Sequence, residues 1–428
     1  MTFMHTRVAI AALTLAGALA GAGPAAAKSP PSTVKCGDTL TRSVKLTTDL
    51  TDCPGDGLVI GAAGITVDLN GHTIDGTATQ LAGCDGPPSG PIGVSDGGGY
   101  DGLTIKNGTI QQFGGGFNAG SETEGMADST LFDLTVRDNR FDGIVLGSAQ
   151  RLNNDNRIMA NRVYGNVCGN GIVLNNASDN LVARNRSHDN DGGITICCSD
   201  RNVVRDNVVA HNADSGITVC CDSLDTLVKD NEVLDNASNG IIVLFGAKRT
   251  LVRENHVARN GNDIAVFEAS GNTVSRNRAT DALVCSACFG PTGYGIGITG
   301  GSDDNVVSDN LVSRTERDGI GILDFDPADP DNPVSDRTAV RGNVVRQAGG
   351  DGVHVDAGME GTVLERNHAF GAGDDGIQVD SAATVLTGNA AFFNHDLGIE
   401  AVPGVTDGGG NRARQNGNPA QCSGVACR

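Results

Sequence analysis

Tryptophan is absent from this chain of 428 residues, and tyrosine (3) and phenylalanine (12) are scarce. A core anchored on large aromatic rings is therefore excluded, and the interior has to be filled by aliphatic side chains. Basic residues are few as well: 31 Lys and Arg stand against 51 Asp and Glu, a formal charge of −20. That balance excludes nucleic acid as a partner, because a phosphate backbone is met by a basic stripe. Only 13 prolines accompany the 61 glycines, and no Gly-X-Y period runs through them, which excludes collagen. Apolar runs long enough to cross a membrane are missing after the N-terminal segment.

That segment carries His5 and Arg7, an apolar run from Val8 to Ala22, and Pro24-Ala25-Ala26-Ala27. It predicts a secretory leader at residues 1–27, cleaved after Ala27, and hence a secreted, monomeric protein with no membrane span once the leader is removed. Twelve cysteines in an exported chain predict disulfides. Cys36 with Cys53 and Cys422 with Cys427 would staple the two ends, Cys285 and Cys288 would form a tight local bridge, and Cys84 and Cys168 a long-range one.

What the chain has in abundance is repetition. From Asp142 onward the unit is Asp-Gly-Ile-x-Val, a few turn residues, then Asn-x-Val-x-x-Asn-x-Val-x-x-Asn. Copies begin at Gly171, Gly193, Gly216, Gly240, Asp263, Gly295, Gly319, Gly352, Gly376 and Gly398. Each Ile-x-Val stretch is too short for a helix and alternates like a strand with one buried face. Such a unit cannot bury its own inward side, but stacked on a copy of itself it can. Asn and Gly are expected at the corners, supplying left-handed conformations, with Asn amides bonding from coil to coil. Cys197-Cys198 and Cys220-Cys221 fall in register one coil apart, about 4.8 Å, which suits cross-coil disulfides; a four-thiolate metal site is the alternative.

On these repeats the chain resembles the right-handed parallel β-helix proteins of the pectin-lyase-like superfamily, including NosD-like repeats. The resemblance implies an all-β fold: a single right-handed parallel β-helix over residues 55–402, between disulfide-stapled caps at 28–54 and 403–428. It also implies extracellular polysaccharide as the partner, with a lyase, hydrolase or epimerase activity, or else a non-catalytic carbohydrate-binding solenoid of the cell envelope.

If the residues between the inward Ile and Val point out, one outer column reads Val145, Val173, Thr195, Thr218, Ile242, Ala265, Gly297, Gly321, His354, Gln378 and Glu400. It is apolar or small at first, then glycine, then polar. Insertions before Gly295 and after Leu323 are expected to flank it, leaving Gly297 and Gly321 as a low floor. Gln378 and Glu400 would then contact substrate beside them, and His354, Asp356, Asp375 and Asp380 are the candidate catalytic set. Asp356 and Asp380, one coil apart, should either share a cation or have one raised pKa. Asp324, Asp326 and Asp329 in the second insertion alternate as hard-cation ligands, and calcium is the expected ion. Phe325-Asp326-Pro327-Ala328-Asp329 resembles the Asp-Pro-His-Asp motif of alginate epimerases and related lyases, but Ala328 stands where the His belongs.

Overall fold

At Gly193 an added Cβ would lie 2.2 Å from the Gly216 carbonyl and 2.3 Å from Val209 Cγ1. The same crowding recurs at Gly143, Gly216, Gly240, Gly295, Gly319 and Gly352. The repeat glycine is thus required by the close approach of successive coils, and its φ is not positive. In this computed structural model, which describes residues 33–428 apart from 79–83, 85–89, 122, 148–152, 287, 289, 327 and 329–331, the chain from Lys35 to Arg428 is one parallel β-helix. The expected leader lies outside the described residues.

One face is a 16-stranded parallel sheet that starts at Asp38–Leu40 and ends at Cys422–Ser423. The sheet therefore runs into both segments read as caps. A typical coil contributes Ile194–Cys197 to this first face, Val203–Arg205 to a second and Val208–Ala210 to a third. Ile194, Ile196, Val204 and Val209 point inward and are fully buried, as the alternation predicts. No helix is present among the described residues, and none is long and apolar enough to cross a membrane.

The corners differ from the expectation in their division of labour. The left-handed position is held mainly by Asp, Arg or Glu, as at Arg201, Asp206, Asp230 and Glu254, and the Asn follows it. Asn is needed there for its amide rather than its φ. Asn207 is buried; its backbone N–H donates to Asn231 Oδ1 at 3.0 Å, while its Nδ2 donates to the same oxygen at 2.9 Å and to the Val182 carbonyl at 3.0 Å. This ladder climbs from Asn161 to Asn411. It satisfies backbone groups that the bends remove from the sheets. Outside it, left-handed acids and arginines pair across coils, as in the two-pronged contacts of Arg201 with Asp179 and Arg259 with Asp235.

A second ladder runs from Asn139 through Asn166, Asn190, Asn212 and Asn236 to Asn260 and then stops. Ala282, Thr315, Ala348 and Ala372 follow in its column, and it resumes with Asn394 and Asn416. At the break, Asp263 takes the place of a coil glycine and accepts the Asn260 amide at 3.1 Å. Disulfides join Cys36 to Cys53, Cys84 to Cys168, Cys197 to Cys220, Cys285 to Cys288 and Cys422 to Cys427, as the spacing predicted. The second cross-coil bridge expected from the register does not form: Cys198 and Cys221 are free thiols.

Candidate active site

The interrupted ladder lies on the coils that carry the polar end of the first face. Strand register places Ala265, Gly297, Gly321, His354, Gln378 and Glu400 in one column, each beside the next, as the outward reading required. Three acids stand immediately ahead of their coil glycines: Asp318, Asp351 and Asp375. Each gives Oδ1 to a backbone N–H of the following coil, Asp318 to Asp351 at 2.7 Å, Asp351 to Asp375 at 2.9 Å and Asp375 to Leu397 at 2.7 Å. The bond is corner chemistry, and it fixes the direction of the second oxygen.

For two of the three, that oxygen turns to His354. Nδ1 lies 3.1 Å from Asp318 Oδ2 and 3.6 Å from Asp351 Oδ2, while Nε2 lies 3.2 Å from Asp356 Oδ1 and 3.4 Å from Asp380 Oδ2. The outer pair is also tied down: Asp356 Oδ2 accepts the Asp324 N–H at 2.8 Å, and Asp380 Oδ1 accepts the Gln378 side-chain amide at 2.6 Å. Four carboxylates thus surround one imidazole, each with one oxygen on the scaffold.

Electrostatics follow from this placement. Burial alone would lower the His354 pKa, but Asp318, Asp356 and Asp351 outweigh it and raise it to about 9, so the ring is an imidazolium at neutral pH. Burial, reinforced by Asp318, lifts Asp351 to about 6. Burial together with a hydrogen bond to Glu400 lifts Asp375 to about 7. Asp356 is raised by burial as well. The cation that Asp356 and Asp380 require is supplied by the chain itself, as the charged ring of His354.

Two residues of this neighbourhood carried no catalytic reading in the sequence. Tyr294, nearly buried on the Gly295 coil, lies under the Arg317 guanidinium, 5.9 Å from its ring centroid. Burial raises its hydroxyl pKa, opposed by a hydrogen bond with Arg317 and reinforced by Asp318 and Asp356. The glycine floor is only partly open. Nothing but Tyr294 Cβ approaches Gly297, at 3.9 Å, whereas the space a Cβ would take at Gly321 is filled by the Leu323 side chain. Farther along the column lies a cavity of about 210 Å³, lined by Ile242, Ala265, Phe267, Pro291, Thr299 and Phe325 among others. Gly290-Pro291 and Phe325 come from the two insertions, so both reach the same face. The rings of Phe245, Phe267 and Phe325 touch in sequence, with centroids 5.8 and 4.9 Å apart. Register alone could have announced part of this cluster, since Phe267 pairs with Leu244 two residues beyond the Ile242 and Ala265 positions of the column.

In the second insertion, Asp324 and Asp326 turn oxygens toward loop amides, at Asp326 and Ala328, and Asp324 also takes the Asn332 amide. Asp329 lies outside the described residues. Among the described residues, groups that could hold a metal ion gather elsewhere: Asp318, Asp351 and His354; Asp374, Asp375 and Asp396; and Cys197, Cys220 and Cys221.

The family model for the right-handed β-helix region matches residues 92–257 and 250–392. The chain belongs to the right-handed β-helix family. Solved structures similar to this β-helix include two A-modules of Azotobacter vinelandii mannuronan C-5 epimerases. AlgE6 has 15% identity over 82% of this chain and 90% of that one, with a TM-score of 0.50; AlgE4 has 15% over 78% and 87%, with 0.51. A periplasmic alginate epimerase, AlgG, has 14% identity over 74% and 76%, with a TM-score of 0.52. At such identities the likeness is one of fold. Among curated proteins, none matches by sequence.

Proposed function

We propose that this β-helix acts on extracellular polysaccharide laid along its first face, with His354 as the proton-handling centre. The observation that carries the reading is the imidazole held between Asp318 and Asp351 on one side and Asp356 and Asp380 on the other, at the end of a column that continues to an aromatic-lined cavity. An imidazolium with a pKa of about 9 is a proton donor at neutral pH. Asp380, the most exposed of its carboxylates at 37%, is placed to take a proton from substrate, with Asp356 sharing the charge. Asp375, raised to about 7, extends the relay by a coil. Gln378 orients Asp380, and Gly297 leaves open the space that a Cβ would take. The similar folds of three epimerases that act on mannuronan or alginate support the substrate class. Five disulfides suit a protein secreted into an oxidising compartment.

Calcium enters this reading as a counter-ion for substrate. Asp356 and Asp380 already face the imidazolium, and among the described residues no ligand group gathers at Asp324 and Asp326. A uronate brought among four carboxylates would need a divalent cation to bridge the charge; a neutral glycan would not. The test is incubation with pectate, alginate and glycosaminoglycans, with and without chelator, following unsaturated products, reducing ends and C-5 inversion. Product from the wild type that disappears in Asp380→Asn is expected. No product on any glycan, with binding unaltered by Asp380→Asn, would leave the second reading, a binding solenoid. Leu323, covering Gly321, favours that alternative.

A further inference from the structure

Acids are spread over nearly every coil of this chain, yet one area has none. On the third face, the strands Val344–Arg346, His368–Phe370, Ala390–Phe392 and Arg412–Arg414 stack in register. Their outward positions are Val344, His368, Ala390 and Arg412 in one column and Arg346, Phe370, Phe392 and Arg414 in the other. The left-handed corners on either side hold Gly342, Arg366, Gly388 and Gly410, and Gln347, Gly371, Phe393 and Gln415. No carboxylate occurs among these sixteen positions, in a chain with 51 acids. Earlier coils fill the same corners with Asp138, Asp189, Asp235 and Asp281.

The side chains form a cationic and aromatic plateau. Arg346 lies over the Phe370 ring, 5.9 Å from its centroid, and Phe370 meets Phe392 at 5.7 Å. Phe393 is 59% exposed. Arg346, Arg412 and Arg414 are exposed and have no carboxylate within ion-pair reach among the described residues, although left-handed corners elsewhere match arginine with acid. Guanidinium groups without carboxylate partners beside two neighbouring, tilted rings suit a ligand with apolar faces and regularly spaced negative charges.

We infer that this plateau is a binding surface for an acidic polysaccharide, a chain of uronate residues, separate from the His354 cleft. The coil spacing of about 4.8 Å is close to the length of one sugar, so consecutive rings of the glycan can lie over Phe370 and Phe392. Their carboxylates then meet Arg346 and Arg414. A nucleic acid offers rings and charge too, but its denser backbone would face the field of a chain at −20. The plateau would hold an acidic glycan without the bridging cation that the cleft, ringed by carboxylates, requires.

Affinity electrophoresis of the full chain through gels containing polygalacturonate tests this, with gels lacking polymer as the mobility reference. Retardation is expected for the wild type, weakening with salt, and absent in a neutral hydroxyethylcellulose gel. The double variant Arg346→Glu/Arg414→Glu should raise the apparent Kd by about tenfold or more, and Phe370→Ala/Phe392→Ala should weaken retardation while circular dichroism shows the variant still folded. Asp380→Asn, in the cleft, should be retarded like the wild type. The inference is overturned by absence of retardation, by full retardation of the charge-reversed variant, by its loss in Asp380→Asn instead, or by tighter binding of a single-stranded oligonucleotide than of polyuronate. None of these outcomes depends on whether the cleft is catalytic.

Discussion

Nε2 of His354 lies 3.2 Å from Asp356 Oδ1, in the place where two stacked carboxylates would otherwise face one another across a single coil. The ring is both the most distinctive group of the candidate site and part of what lets that site fold. Its function and its contribution to stability therefore have to be measured separately.

The raised pKa of His354 makes the first prediction. Its folded value of about 9 exceeds the ordinary 6.5, so its stabilisation is fully present below about 6.5 and is lost as the pH rises through 9. Replacement by Ala leaves four carboxylates without their cation and should destabilise the protein by on the order of 2–3 kcal/mol at pH 7. The gap should narrow above pH 9. Denaturant midpoints of wild type and His354→Ala from pH 6 to 10 check this, and a constant gap would contradict it. Calcium at millimolar levels should stabilise His354→Ala more than the wild type, because the variant has vacated a cation position.

Asp263 gives a shift that acts across a lower pH range. It is fully buried, holds the Asn260 amide with Oδ1, and leaves Oδ2 without a partner. Burial pushes its carboxyl well above the usual range. A folded pKa raised in this way favours the acid form, so its contribution is greatest below about pH 4 and falls as the unfolded chain ionises. Asp263→Asn keeps the acceptor for Asn260 and removes the charge. It should be more stable than the wild type by about 1–2 kcal/mol near pH 8 and equal or weaker near pH 4. Thermal midpoints at the two pH values decide it.

Much of this molecule was legible because a stacked coil repeats its geometry. The outward column from Val145 to Glu400 followed from period-2 alternation, and four disulfides followed from register or from short spacing, with Cys84–Cys168 as the pair left over. His354, Asp356 and Asp380 were found because they break a column of small and apolar residues. What escaped depends on directions that no period encodes. That Asp318 and Asp351 use one oxygen for a corner and the other for His354 is a matter of rotamer. Tyr294 and Arg317 meet because an insertion re-aims the chain before Gly295. Glycine's second role escaped for a related reason: Gly342 and Gly388 hold left-handed corners as expected, but Gly193 is demanded by the Gly216 carbonyl on the next coil, a contact invisible in a single repeat.

The two kinds of corner contact should differ in what they contribute. Arg259 and Asp235 make a two-pronged pair, but both are half-exposed, and exposed ion pairs typically contribute below about 1 kcal/mol. Asn207 is buried and joins three coils. Its replacement by Ala leaves the Asn185 N–H and the Val182 carbonyl without those partners, at a cost of about 2–4 kcal/mol. Urea titrations of Arg259→Ala and Asn207→Ala should therefore show a small and a large loss of midpoint respectively. High salt should reduce only the first, since the amide ladder carries no charge to screen. The reverse order would mean that the outer charges, rather than the inner amides, hold neighbouring coils together.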